Sequence, residues 1–107
     1  YLAHEYKYQF KYEECITFIY KNILPVILKE GDTMDCLPDL YMFLGDCYLE
    51  LHKEQEAETN YKAGIAADSL FRDNYIKLAR LYYLQHKYEQ ALKVMNDCFK
   101  TSRRLYT

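Results

Sequence analysis

Tyr41, Leu44, Gly45, Tyr48 and Ala57 return as Tyr75, Leu78, Ala79, Tyr82 and Ala91, each pair at the same offset as position 41 from position 75. Self-similarity at such a period means one supersecondary unit used repeatedly. Each unit is too small to bury its own apolar face and is completed by the neighbour stacked on it. Aligning the turns brings out a third copy: Gln9 to Cys15 matches Leu51 to Ala57 and Gln85 to Ala91. The step from the second copy to the third is this same offset, while the step from the first to the second is longer by eight positions. Gly31, Asp32, Thr33 and Pro38 place that insertion around 30–37, as a loop leading into a helix start.

Within each copy the apolar residues follow helical and not alternating spacing, which argues against strands. Six helices in antiparallel pairs are expected, over 1–8, 12–22, 39–51, 54–66, 70–84 and 88–101. Pro25 has no amide to donate and crowds the turn before it, so the second helix should end or kink there, with 26–29 resuming a turn. Pro38 suits the first turn of the third helix, and Asp68 and Ser69 supply a turn and cap ahead of the fifth. Gly64 falls inside the fourth helix, where glycine costs about 1 kcal/mol relative to alanine. A packing reason is needed to keep it there.

At 107 residues the chain is one domain's worth of sequence, and with half its residues hydrophobic it can build a continuous core. A formal charge of −2 gives no electrostatic reason to expect nucleic acid, which needs a basic face. No apolar run reaches the roughly 18 residues of a membrane span, and no signal-peptide pattern opens the chain. Cys15, Cys36, Cys47 and Cys98 are scattered, with no CxxC spacing, and read as free thiols of an intracellular protein, cytoplasmic or nuclear. The first residue is Tyr1 in what reads as mid-helix, so the chain is expected to be a piece of a longer protein.

These residues resemble the tetratricopeptide repeat family, whose pattern runs W-x2-L-G-x2-Y, A-x3-F, A, P over a period of about 34 residues. The second copy sets Tyr41, Leu44, Gly45, Tyr48, Ala57, Tyr61, Gly64 and Ile65 on it, and the third sets Tyr75, Leu78, Ala79, Tyr82, Ala91, Met95, Cys98 and Phe99. The first contributes Leu2, Ala3, Tyr6, Cys15, Ile19, Asn22 and Ile23. The resemblance implies an all-α fold, a right-handed α–α superhelix of three antiparallel hairpins (1–29, 38–71 and 72–105), the first truncated. It also assigns the small residues. Gly45, Ala79 and Ala3 sit where the two helices of a hairpin cross, Ala57, Ala91 and Cys15 face them, and Gly64 and Cys98 mark where one hairpin meets the next. Tyr48 and Tyr82 fill the layer between, while Tyr12 and Tyr88 close the base of the second helices. The family's closing proline is missing, Ser69 and Arg103 standing in its place, so helix ends are free to run on.

In this family the first helices of successive hairpins line a concave groove that holds extended peptides. Carried over, the groove positions are Tyr8, Asp39, Met42, Asp46, Leu49, Asp73, Ile76, Lys77, Arg80 and Tyr83, with His4, Lys7, Glu50 and Leu84 beside them. The family's carboxylate clamp has only Lys77 to offer, since its other positions hold His4, Phe43 and Asp73. The acids Asp39, Asp46, Glu50 and Asp73 would instead suit a ligand carrying Lys or Arg. His52 and His86 occupy the same turn of successive hairpins, about 10 Å apart at helix-packing distance, too far to share a metal. Acidic clusters at 13–14 and 54–58 complement helix dipoles. No phosphate loop, nucleophile elbow or H-E-x-x-H occurs.

The sequence therefore predicts a non-catalytic protein-interaction scaffold without metal or cofactor, whose concave groove binds a peptide or partner segment. The alternative is an architectural segment of a longer helical array, stacking on further repeats or on a copy of itself. Neither nucleic acid nor membrane is an expected partner.

Overall fold

A computed structural model describes residues 11–30 and 37–106, which are helices and short turns with no strand among them. Helix α1 (11–18) passes through one wide turn, Ile19–Ile23, into α2 (Leu24–Glu30). Then follow α3 (Leu37–Glu50), α4 (Glu54–Ala67), α5 (Arg72–Leu84) and α6 (Tyr88–Tyr106). The helix expected over 1–8, with Ala3, His4, Lys7 and Tyr8, lies outside the described residues, as does the heart of the insertion.

Of the end or kink expected at Pro25, the end does not occur: the helix runs on from 11 to 30. The wide turn explains this. The Leu24 N–H bonds to the Ile19 carbonyl, five residues back where an α-helix would reach four. Widening the backbone just ahead of Pro25 relieves the pressure its ring would put on the carbonyl of Lys21, which could receive no amide from it. Ile16, Ile19 and Ile27 keep one buried face through the irregularity.

Other boundaries shift for local reasons. Helix α3 opens at Leu37, ahead of the expected Asp39, so that Leu37 and Pro38 are both buried in its first turn. Helix α5 opens at Arg72 instead of Leu70. The Asp68 carboxylate accepts the Leu70 N–H at 2.9 Å and the Asp68 carbonyl accepts the Phe71 N–H at 3.2 Å, which holds 68–71 as a turn. With no proline to stop it, α6 continues to Tyr106, beyond the expected Thr101.

The repeat is visible in the backbone. The Lys53 N–H bonds to the Tyr48 carbonyl at 2.8 Å and the His52 N–H to the Leu49 carbonyl at 3.0 Å. One repeat further on, Lys87 bonds to Tyr82 at 2.8 Å and His86 to Tyr83 at 3.0 Å. This paired closure is the Schellman helix end, which demands a left-handed residue. His52 and His86 supply it at φ 62° and 63°, where glycine is usual. Both turns fold α3 onto α4 and α5 onto α6, and α4 also packs on α5.

Two apolar clusters hold the helices together. Ala57, Tyr61, Leu78, Leu81 and Tyr82 form one between α4 and α5, joined by Met42, Ile65, Ala91 and Val94. Ile16, Ile19, Leu44 and Cys47 form the other, between α1 and α3. Tyr48 packs against both. Complete burial of a side chain such as Leu44 or Leu81 contributes roughly 1.5–3 kcal/mol.

The small residues meet partners that the repeat alone did not name. A Cβ added at Gly45 would press into the Tyr61 ring, 2.7 Å from its Cδ1, so the close neighbour is an aromatic face. One added at Gly64 would lie 2.5 Å from Cγ of Asn74 on α5. Ala57, Ala79 and Cys98 are buried and Ala91 is half-buried. Cys15 is exposed, unlike a crossing residue, and Tyr88 stands largely in solvent instead of closing the base of its helix.

Candidate functional site

Helices α3 and α5 sit side by side, each the first helix of its hairpin, and leave a groove of about 330 Å³ between them and α1. The apolar walls come from Tyr12, Phe43, Leu49 and Leu84. Phe43 and Leu84 are 46% and 57% exposed, so both rims offer apolar surface to an incoming chain. Tyr61 of α4 rises through the gap that Gly45 leaves and forms part of the floor.

The polar floor is internally satisfied. The Tyr61 hydroxyl donates to Asp46 Oδ1 at 2.5 Å, and Lys77 Nζ stands 3.3 Å from Asp46 Oδ2. Asp46 therefore joins all three inner helices of this region. Burial, and then the bond to Asp46, push the Tyr61 phenol well above its ordinary range, so it stays a donor. Burial raises the Cys47 thiol to about 11, with Cys15, Asp46 and Glu50 adding to the shift, and leaves it a poor nucleophile. Two acids, Asp46 and Glu50, balance two bases, Lys77 and Arg80, around the groove.

That balance corrects the expectation of an acidic groove. Asp39 and Asp73 are exposed in the first turns of α3 and α5, favourably placed for the helix dipoles, and neither lines the groove. Of the expected groove residues, Asp46, Leu49, Lys77 and Arg80 line it, as do Glu50 and Leu84. Met42 turns into the core against the α4–α5 cluster, and Ile76 is exposed outside the groove. Tyr83 leaves it too, its ring edge-on to Tyr88 at 5.4 Å between centroids. Tyr8 lies outside the described residues.

The sequence reading missed Phe43, Cys47, Tyr12 and Tyr61 as lining residues. Tyr61 had a signal: its repeat position faces Gly45, so its hydroxyl had to emerge on the far side of the helix crossing. Phe43 carries no such signal, because its repeat position is that of a charged clamp residue. Lys77, the one clamp residue available, is engaged by Asp46.

Elsewhere, Asn74 is fully buried at the junction of the hairpins, where its Nδ2 donates to the Pro38 carbonyl at 3.0 Å. Among the described residues no group of His, Cys, Asp or Glu is arranged to hold a metal ion, and no helix is long and apolar enough to cross a membrane. Comparison with protein-family models, curated proteins and solved structures finds no match.

Proposed function

We propose that the chain is a non-catalytic protein-interaction module of the tetratricopeptide kind, a right-handed stack of hairpins whose α3–α5 groove holds a segment of a partner protein. The observation that carries this reading is the groove itself, with exposed Phe43 and Leu84 flanking a floor in which Asp46 and Lys77 are paired. Exposed apolar side chains beside a fixed polar floor are an anchor for apolar side chains of a peptide. The recurrence of both helix closures at the repeat offset supports the repeat assignment. Asp46 is held from two sides, and a carboxylate so engaged is a structural strut rather than a general base. Free thiols at Cys15, Cys47 and Cys98 suit a reducing compartment, cytoplasmic or nuclear.

Charge neutrality makes the preferred ligand one anchored by apolar side chains, not a basic tail. Selection from a random peptide display library tests this. Phe43→Ser, Leu84→Ser and Arg80→Glu alter exposed or rim side chains and should leave helicity intact. The selected peptides are expected to carry paired apolar residues and to lose at least tenfold in affinity on Phe43→Ser. Peptides that bind all three variants as tightly as the parent would remove the groove from the account.

A further inference from the structure

Among the described residues nothing covers one face of helix α6, and the repeat points to the role of that face. On α4 the residues that meet α5 are Glu54, Glu58, Tyr61 and Ile65. Glu54 accepts from Gln85 Nε2 at 2.7 Å, Glu58 accepts from the Tyr82 hydroxyl at 3.2 Å, and Tyr61 and Ile65 pack with Leu78 and Tyr82. Advanced by one repeat, these positions are Tyr88, Leu92, Met95 and Phe99. Their spacings of four, three and four place them on one helical face. Where α4 is covered by an antiparallel helix, α6 has Leu92, Phe99 and Tyr88 at 64%, 56% and 54% exposure. The stripe is also more apolar than its counterpart, since two glutamates have become Tyr88 and Leu92. Among the described residues none that lines the groove lies on α6, so the two surfaces are separate.

We infer that this face pairs with the same face of a second copy of the chain, the two α6 helices running antiparallel across a two-fold axis near Met95. Antiparallel is the orientation in which α5 covers α4, so the ridge spacing is already suited to it. The two-fold sets Leu92 of one copy against Phe99 of the other and closes the stripe upon itself. Charge selects this occupant. Glu89 and Lys100, both exposed, flank the stripe on the same side at its two ends. The two-fold brings Glu89 of each copy against Lys100 of the other, twice over. A parallel two-fold would put the two copies' Glu89 on opposite flanks at one end and their Lys100 on opposite flanks at the other, so neither pair would form. The face is narrow, four side chains from each copy, so the dimer is weak, with Kd on the order of 10–100 µM.

Sedimentation equilibrium over a concentration series tests the pairing, with circular dichroism to confirm that each variant keeps its helices. The chain is expected to show a monomer–dimer equilibrium, with Leu92→Glu or Phe99→Glu raising Kd at least tenfold. Glu89→Lys alone and Lys100→Glu alone should each weaken self-association severalfold. Mixing the E89K chain with the K100E chain should restore a heterodimer at least as tight as the parent, because both cross-pairs are then opposite in sign. A chain that stays monomeric throughout the series overturns the proposal. So does association indifferent to Leu92→Glu and Phe99→Glu, or a mixture of the two charge variants no tighter than either alone.

Discussion

Replacing Gly64 with alanine sets two effects of known size against each other. In the middle of α4, alanine favours the helix by about 1 kcal/mol over glycine. Opposing this, the new Cβ would lie 2.5 Å from Cγ and 2.7 Å from Oδ1 of Asn74. That is about 1 Å inside ordinary carbon contact distance. The Asn74 amide has no solvent to retreat into, and its Nδ2 is bonded to the Pro38 carbonyl at 3.0 Å. Moving it forfeits a buried hydrogen bond at roughly 1–3 kcal/mol, and overpacking adds about 1–3 kcal/mol. Gly64→Ala should therefore destabilise by about 1–5 kcal/mol net, a large share of the roughly 5–15 kcal/mol of a small domain. Asn74→Ala removes the obstacle, so on that background Gly64→Ala should be neutral or stabilising by up to about 1 kcal/mol. Urea unfolding followed by far-UV circular dichroism reads all four corners of the cycle. A Gly64→Ala effect of the same sign and size with and without Asn74 would refute the reasoning.

Other perturbations follow from the same geometry. His52→Gly and His86→Gly should each stabilise by about 0.5–1 kcal/mol, because a left-handed residue costs about 1–2 kcal/mol for anything but glycine while glycine's extra unfolded-state freedom returns part of that. The gain should be smaller at His86, which gives up its contact with the Tyr88 hydroxyl at 2.9 Å; thermal melts decide it. In alkali, the phenols of Tyr61 and Tyr48 are raised, Tyr48 to about 12, chiefly by burial. Their contribution is complete below the unfolded value of 10.0 and is lost as pH climbs above it, so stability measured by urea midpoint should fall beyond that pH, and less steeply in Tyr61→Phe. In acid the sign reverses. Glu58 is lowered from 4.5, first by its bond with Lys62, and its contribution is present above that value and lost as pH falls through the folded one. Glu58→Gln should flatten the acid limb slightly, because the pair is partly exposed. Site-resolved alkylation of the native protein should modify Cys15 quickly and Cys47 and Cys98 slowly, since burial encloses the latter two and raises both thiols. Rapid modification of Cys47 would place the α1–α3 contact in doubt.

The parts of the fold legible in the sequence were those that repeat. Two hairpins and their turns followed from residues one period apart, because the same small and aromatic side chains must recur wherever the same packing recurs. What did not repeat was hidden. Pro25 points to an end or a kink because sequence rules assume α geometry, and the wide turn at Ile19–Ile23 carries the helix past it by changing that geometry. The left-handed closures at His52 and His86 were hidden because glycine is their usual sign. In the groove, the number of acids on the first helices does not give the charge. Which acids line a cavity depends on helix rotation, and which are neutralised depends on long side chains such as Lys77 reaching between helices. Tyr83 was drawn away by Tyr88, a neighbour across a turn that a groove pattern does not consider.

The most direct test of the functional account is a residue-by-residue chemical-shift map of the chain titrated with a peptide selected for binding. The perturbed amides are expected to gather at Phe43, Asp46, Glu50, Lys77, Arg80 and Leu84, with α6 unmoved at concentrations where the chain is monomeric. Shifts confined to the α4–α6 side around Lys62, Gln90 and Lys93, with the α3–α5 groove silent, would contradict it.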